Sequence, residues 1–307
     1  MINEKEMAME NSTATTIRED VVALLESKNM SAAALAGATG LGKTAVSLWI
    51  SEKYSGDNAK IESAMVSWMV AEEYRERNAI GKFPVVETDT VLRIADLAMI
   101  CRTERKMGVG IGDSGLGKTT AAKKYRHDNI GTLLIEVDMG YTARVLLKVL
   151  SEELGLSTKG TAHDLFEGCR KRLEGSGRLI IVDEAEHLPL GALETLRRLH
   201  DKADIGVLLI GMPRLLANLR GNKGEFAQLY NRSMMAQKMN VLNIDDSVRI
   251  VSSVLSVDTD THLAFLEYSK GNARRLEMLV RSSRKVADVN GCAVNREVIR
   301  TAAEMLL

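Results

Sequence analysis

Apolar positions along this chain keep one period as far as residue 80 and another beyond it. In IREDVVALLESKNM (17–30), Ile17, Val21, Val22, Leu24 and Leu25 fall on one helical face, which predicts an amphipathic helix. SAAALAGATGLGKTAVSLWISEKYSGD (31–57) predicts a short Ala-rich helix, a turn containing Gly37 and Gly40, and a second helix carrying Val46, Trp49 and Ile50. Helix, tight turn and helix in that order predict a helix-turn-helix module. Leu41 would anchor its turn in the core, and Lys43, Thr44 and Ser47 would project from the second helix. Another amphipathic helix follows at 61–77, and Gly81 and Pro84 then break the period, placing a linker at 81–90.

From about residue 88 the pattern alternates. The helix TVLRIADLAMICRTER leads into the strand MGVGIG (107–112), a Gly-rich loop, the helical TAAKKYRHD and the strand TLLIEVD (132–138). Helices at 143–155 and 163–175 precede the strand RLIIVDE (178–184), and a helix at 191–203 precedes the strand IGVLLIG (205–211). Short, fully apolar runs between amphipathic helices predict an α/β domain with a parallel sheet covered on both faces. After about 240 no strand pattern remains, and three helical stretches with a last helix from Asn295 predict a helical lid. The expected plan is an all-α helix-turn-helix domain over 1–80, a linker over 81–90, an α/β domain over 91–240 and a C-terminal helical lid over 241–307.

Two stretches raise the question of chemistry. GATGLGKT (37–44) and GDSGLGKT (112–119) both fit the phosphate-loop pattern, in which backbone N–H groups cradle phosphates, the Lys reaches the outer phosphates and the Ser/Thr hydroxyl holds Mg²⁺. Only the second has a strand before it and a helix after it. Its segment, Gly112, Asp113, Ser114, Gly115, Leu116, Gly117, Lys118, Thr119 and Thr120, is expected to hold ATP at a helix N-terminus. Downstream, the strand RLIIV ends in Asp183 and Glu184. A carboxylate there serves the Mg²⁺ shell, so Thr119 and Asp183 are the candidate metal residues and Glu184 the candidate base for the attacking water. The first loop follows an Ala-rich helix, so its glycines are read as a turn. Lys43 is then a candidate contact to DNA phosphate, or simply a solvated residue at a helix N-terminus.

Composition narrows the field. At 307 residues with 45% hydrophobic content, the chain is long enough for about two domains. Lys plus Arg and Asp plus Glu both number 41, so no overall basic field advertises nucleic acid. Residues 1–80 carry a net −4 and residues 81–240 a net +4, which confines any positive surface to the central segment. Cys101, Cys169 and Cys292 are scattered and odd in number, against a disulfide framework or a zinc site. Neither a signal-peptide pattern nor a run of 18 apolar residues occurs, so no membrane partner is expected and the cytoplasm, of a bacterial host if the gene is carried by a phage or transposon, is the expected location.

Over roughly 85–285 the chain resembles the AAA+ superfamily. LIIVDEAEHLPLGALETLRRLHDKADIGVLLIGMPRL, with the later QLYNR and the helix-turn-helix ahead of it, resembles the transposition ATPases of the TniB/TnsC and Mu B type. That resemblance implies an ATPase that binds duplex DNA with little sequence preference and polymerises on it. Such a protein delivers the target DNA to a cognate transposase, and transposase-stimulated ATP hydrolysis dislodges it. It also implies residue roles: Arg232 in QLYNR as an arginine finger toward a neighbouring subunit, the alternative being an ordinary ion-paired arginine, and Arg274 in GNARRL as the sensor 2 arginine, with Arg275 as the alternative. By topology it points to Thr142, Arg144, Lys148 and Lys159 as DNA contacts, or equally to a solvated amphipathic helix there.

One position departs from the family pattern. Met212 follows the strand IGVLLIG where a polar sensor 1 residue is expected, and a thioether does not orient water as an amide does. Either a neighbour substitutes or hydrolysis is slow. His187 and His163 read as polar residues at element ends rather than metal ligands, and Met234, Met235 and Met239 as core or interface filler. Two rival functions share these features: a helicase-loader-like ATPase, and a transcriptional regulator whose helix-turn-helix reads an operator with ATP as a ligand.

Overall fold

The computed structural model describes residues 17–77, 83–220 and 234–306. By contact the chain divides into two compact units, 1–81 and 82–307.

In the first unit, residues 17–27 form α1, Ala32–Thr39 α2, Lys43–Ile50 α3 and Asn58–Arg77 α4. Ser31 starts α2 by accepting a hydrogen bond from the Ala34 N–H, and Gly40, at φ 71°, ends it. Gly37 was expected in the turn but lies inside α2, because Gly40 alone supplies the left-handed residue that the turn requires. Val21, Leu35, Val46, Trp49, Met65 and Trp68 form the core, and Leu41 packs partly buried against it. The Arg18 guanidinium lies 5.1 Å from the Trp49 ring centroid. Lys43, Thr44 and Ser47 of α3 are exposed.

The second unit is built on five parallel strands: β1 (Met107–Ile111), β2 (Thr132–Glu136), β3 (Leu179–Asp183), β4 (Gly206–Gly211) and β5 (Met234–Lys238), in the order β2-β3-β4-β1-β5. β1, β3 and β4 are buried at every position, which explains their uninterrupted apolar sequences. Helices α5 (Asp89–Thr103), α6 (Lys118–Asp128), α7 (Ala143–Glu153), α8 (Ala162–Leu173) and α9 (Leu190–Ala203) connect or flank the strands. Two hydrophobic clusters result, one on each face. Val109, Ile180, Val182, Val207 and Leu209 point to one, while Leu179, Ile181, Leu208 and Ile210 point to the other.

After β4 comes a seven-residue helix, α10 (Arg214–Arg220), and the last four helices are α11 (Ile244–Ser252), α12 (Thr259–Ser269), α13 (Ala273–Asn290) and α14 (Arg296–Glu304). Met234 and Met235 pack partly buried against the two cores, as core filler does, and also lie on a strand that the sequence pattern did not show, pairing with Met107 and Gly108 at the sheet edge. The expected linker also differs from what is found. Residues 83–88 run without regular structure and Thr88 caps α5, so 89 and 90 are already helical.

Candidate nucleotide site

Strand order brings the chemistry together. β1 lies beside β4, and β4 beside β3, so the loops leaving their C-terminal ends converge. From β1 the chain enters Gly112–Gly117 and then α6. Gly115 at φ 80° and Gly117 at φ 86° adopt left-handed backbone that a side chain would strain, and Gly117 is the N-terminal cap of α6. Lys118, only 9% exposed, folds back so that its Nζ donates to the carbonyls of Gly112 (2.8 Å) and Asp113 (2.7 Å). Burial lowers its pKa, opposed by the carboxylates of Asp183, Glu186, Asp113 and Glu184.

β3 delivers Asp183, which is 2% exposed. Desolvation raises its pKa, against a hydrogen bond with the Thr119 side chain and another from the Glu184 N–H. The two expected metal residues, Thr119 and Asp183, line the same cavity. Glu184 has φ 54° and ψ 34°, a conformation that costs a non-glycine residue roughly 1–2 kcal/mol. It opens a single 3₁₀ turn, Ala185–His187. The strain sits where the chain must turn abruptly off the strand end.

These groups line one cavity of about 500 Å³. Ser114–Thr120, Asp183, Glu184, Met212, Arg214 and Arg274 stand on its walls together with Phe83, Val86, Val91 and Ile250. Charged groups and an apolar wall in one pocket suit a ligand that is part phosphate, part planar base. The apolar wall includes Phe83–Val86, which the break at Gly81 and Pro84 marks only as a linker. Its fastening is long-range: Arg249 donates to the Glu87 carbonyl at 2.6 Å, the Asp89 N–H donates to Asp246 at 2.9 Å, and Arg281 lies 5.1 Å over the Phe83 ring.

The lid touches the loop directly. Asn272 donates to the Ser114 carbonyl at 2.8 Å, and the Arg274 N–H donates to the Gly115 carbonyl at 3.1 Å. Arg274 lines the cavity, whereas Arg275 is turned onto the Tyr268 carbonyl at 2.9 Å. Arg232 lies outside the described residues. His187 has its Nε2 3.0 Å from Arg214, and among the described residues no group of three or more His, Cys, Asp and Glu side chains forms a metal cage. His163 is the second residue of α8.

Of the expected DNA contacts, Arg144, Lys148 and Lys159 are exposed. Arg144 donates to the Gly160 carbonyl at 2.8 Å, which ties the start of α7 to the loop bearing Lys159. The Thr142 hydroxyl caps α7 by accepting from the Val145 N–H.

In the first match the same letters build another shape. Gly40 is left-handed like Gly115, but Gly42 has φ −67° and ψ 132° where Gly117 has φ 86°. A helix precedes it rather than a strand.

Comparison with known proteins agrees with this geometry. A family profile described as AAA domain matches residues 101–219. The chain is similar to the ATP-dependent target DNA activator B of Escherichia phage Mu, 31% identical over 301 residues and covering 93% of each chain. The chain belongs to that family of transposition ATPases. It is also similar to the Mu-like prophage FluMu DNA transposition protein B of Haemophilus influenzae, 27% identical over 68% of this chain and 74% of the relative. Among solved structures, the Aeropyrum pernix ORC2 protein in its ADPNP-ADP complexes matches with a TM-score of 0.54 at 16% identity, over 75% of this chain and 71% of that one. This likeness concerns the fold alone, a P-loop AAA+ domain. The chain is an AAA+ ATPase that converts ATP and water to ADP and phosphate.

Proposed function

We propose that this chain is an ATP-dependent, largely sequence-nonspecific duplex-DNA-binding ATPase that assembles as a helical filament on DNA, selects target DNA, delivers it to a transposase and activates that transposase. The observation that carries the reading is similarity along 93% of the chain to a target DNA activator, joined to a cavity with a complete phosphate loop and an acidic strand end. Lys118 leaves its two carbonyl partners for the outer phosphates when ATP binds, and free N–H groups at the start of α6 receive the remaining oxygens. Glu184 orients the attacking water and takes its proton. Arg274, carried by the lid, reaches the phosphates from the opposite wall, and Arg232 is proposed to serve a neighbouring subunit's nucleotide.

Mg²⁺ fits the donors present. The ion ordinarily takes one or two protein oxygens and fills its remaining sites with phosphate and water, and Thr119 beside the buried Asp183 supplies such a pair. When bound, Mg²⁺ neutralises charge developing on the phosphates.

For DNA, the rim formed by Thr142, Arg144, Lys148 and Lys159 is the proposed contact in the filament, and α3 with Lys43 the second. Each subunit contributes few phosphate contacts, so affinity comes from many subunits acting along one duplex. A phage- or transposon-encoded protein of this kind works in the cytoplasm of its bacterial host. Lys118→Ala is expected to lose ATP binding and ATP-dependent DNA binding, and Lys43→Ala to keep its nucleotide affinity. Equilibrium titration with a fluorescent ATP analogue checks both; the reverse pattern would sink the assignment of the two loops.

A further inference from the structure

At the end of β4, facing the phosphate end of the cavity, stands Met212, whose thioether neither donates a hydrogen bond nor orients a water. Two residues on, Arg214 lines the same cavity. One of its terminal nitrogens lies 3.0 Å from Nε2 of His187 and 3.7 Å from Oε1 of Glu186. The Glu186 side chain is 3% exposed, that of Arg214 54%.

The burial of Glu186 is the informative part. Its other carboxylate oxygen accepts the Met212 N–H at 3.2 Å, its backbone carbonyl accepts from Asn218 at 2.9 Å, and a side chain at Gly211 would collide with it. A buried carboxylate is costly unless a cation or several donors compensate it. Here it holds the end of β4, the turn after Asp183 and α10 in one arrangement, and the cations that compensate it are Arg214, 3.7 Å away, and the buried Lys118. An arginine has five N–H donors in a rigid fork. One terminal nitrogen of this fork meets both His187 and Glu186, on a residue that lines the cavity.

We infer that Arg214 supplies, within its own subunit, the contact to the terminal phosphate that Met212 cannot make, with Glu186 and His187 as positioning residues. The inference rests on the reading of the cavity as the ATP site. In hydrolysis the bond from the terminal phosphorus to the bridging oxygen breaks and its electron pair leaves with ADP. A bond from the water oxygen to phosphorus forms, and Glu184 takes the proton. Charge in the transition state spreads over the three outer oxygens of that phosphoryl group, where a preorganised guanidinium stabilises it more than it stabilises ground-state ATP.

The test separates transition-state from ground-state binding in the full-length chain with duplex DNA present. For Arg214→Ala, affinity for a fluorescent ATP analogue should stay within about threefold of wild type. Affinity for ADP with aluminium fluoride should fall at least about tenfold, and the single-turnover hydrolysis rate on the order of 100-fold. Glu186→Gln keeps an acceptor for the Met212 N–H but removes the charge that aims Arg214. It should lower the single-turnover rate while leaving ATP affinity unchanged, and Glu186→Ala should lower it further. Wild-type hydrolysis and aluminium fluoride affinity in Arg214→Ala would overturn the inference. So would loss of ATP affinity in that variant as severe as in Lys118→Ala, because the arginine would then be a ground-state binder. Retained ATP binding in Lys118→Ala would instead overturn the underlying site.

Discussion

Asp183 sits at 2% exposure with an acidic neighbour at Glu184, and its pKa is raised chiefly by desolvation. The folded, nucleotide-free protein therefore holds this proton at pH values where the unfolded chain has lost it. Stability falls as pH climbs from the ordinary carboxylate range through the raised value. Asp183→Asn removes that loss and still accepts from Thr119 and from the Glu184 N–H. We expect it to raise the nucleotide-free Tm near neutral pH and to abolish hydrolysis. A thermal melt of the nucleotide-free protein measures the first and a phosphate-release assay the second, and a lower Tm would contradict this account of the buried carboxylate. Residue identity alone hid some of this chemistry. Glu186 carries no motif signal beyond its place after Asp183 and Glu184, and its importance comes from Gly211, which leaves room for its carboxylate. Gly42 and Gly117 show the same point, since one letter of a shared pattern takes extended backbone after a helix and left-handed backbone after a strand.

Among the elements, α13 bears most directly on the loop. Asn272 caps it by accepting from the Arg275 N–H at 3.0 Å and also donates to the Ser114 carbonyl. Asn272→Asp keeps the cap and loses the donor, whereas Asn272→Ala loses both. We expect the Ala variant to lose about 1 kcal/mol of stability in denaturant unfolding. The Asp variant should retain that stability and lose about 2–10-fold in ATP affinity. Equal ATP affinity in wild type and the Asp variant would show that the lid's contact is structural only. β4 offers a second test. A Cβ on Gly206 would overlap the backbone carbonyl of Cys101 at the end of α5, so Gly206→Ala should destabilise by about 1–3 kcal/mol. The three inner strands and the edge strand β2 were legible because burial leaves continuous apolar runs, and the long helices because one face is buried. β5 was not legible: its residues alternate only between half-buried and exposed at the sheet edge. Nor was the wall at Phe83–Val86, whose fastenings come from residues more than 150 positions away.

For the whole molecule, charge and assembly must be considered together. The chain is formally neutral, and the exposed cations proposed to meet DNA are few in each subunit. Lys148→Ala with Lys159→Ala should therefore weaken coverage of any duplex sequence and flatten its salt dependence, with ATP affinity unchanged in the titration above. The division into a helical N-terminal unit and an ATPase unit was readable from the change of period near residue 80. The helical track on DNA proposed above has no counterpart in the apolar pattern of one chain, because it would depend on surfaces that meet only between subunits. Electron microscopy of the chain with arbitrary duplex DNA and ATP tests the central claim most directly. The account predicts regular filaments along the duplex with ATP, none without nucleotide, and none with Lys118→Ala. Bare DNA in the presence of ATP, or equal coverage with Lys118→Ala, would contradict it.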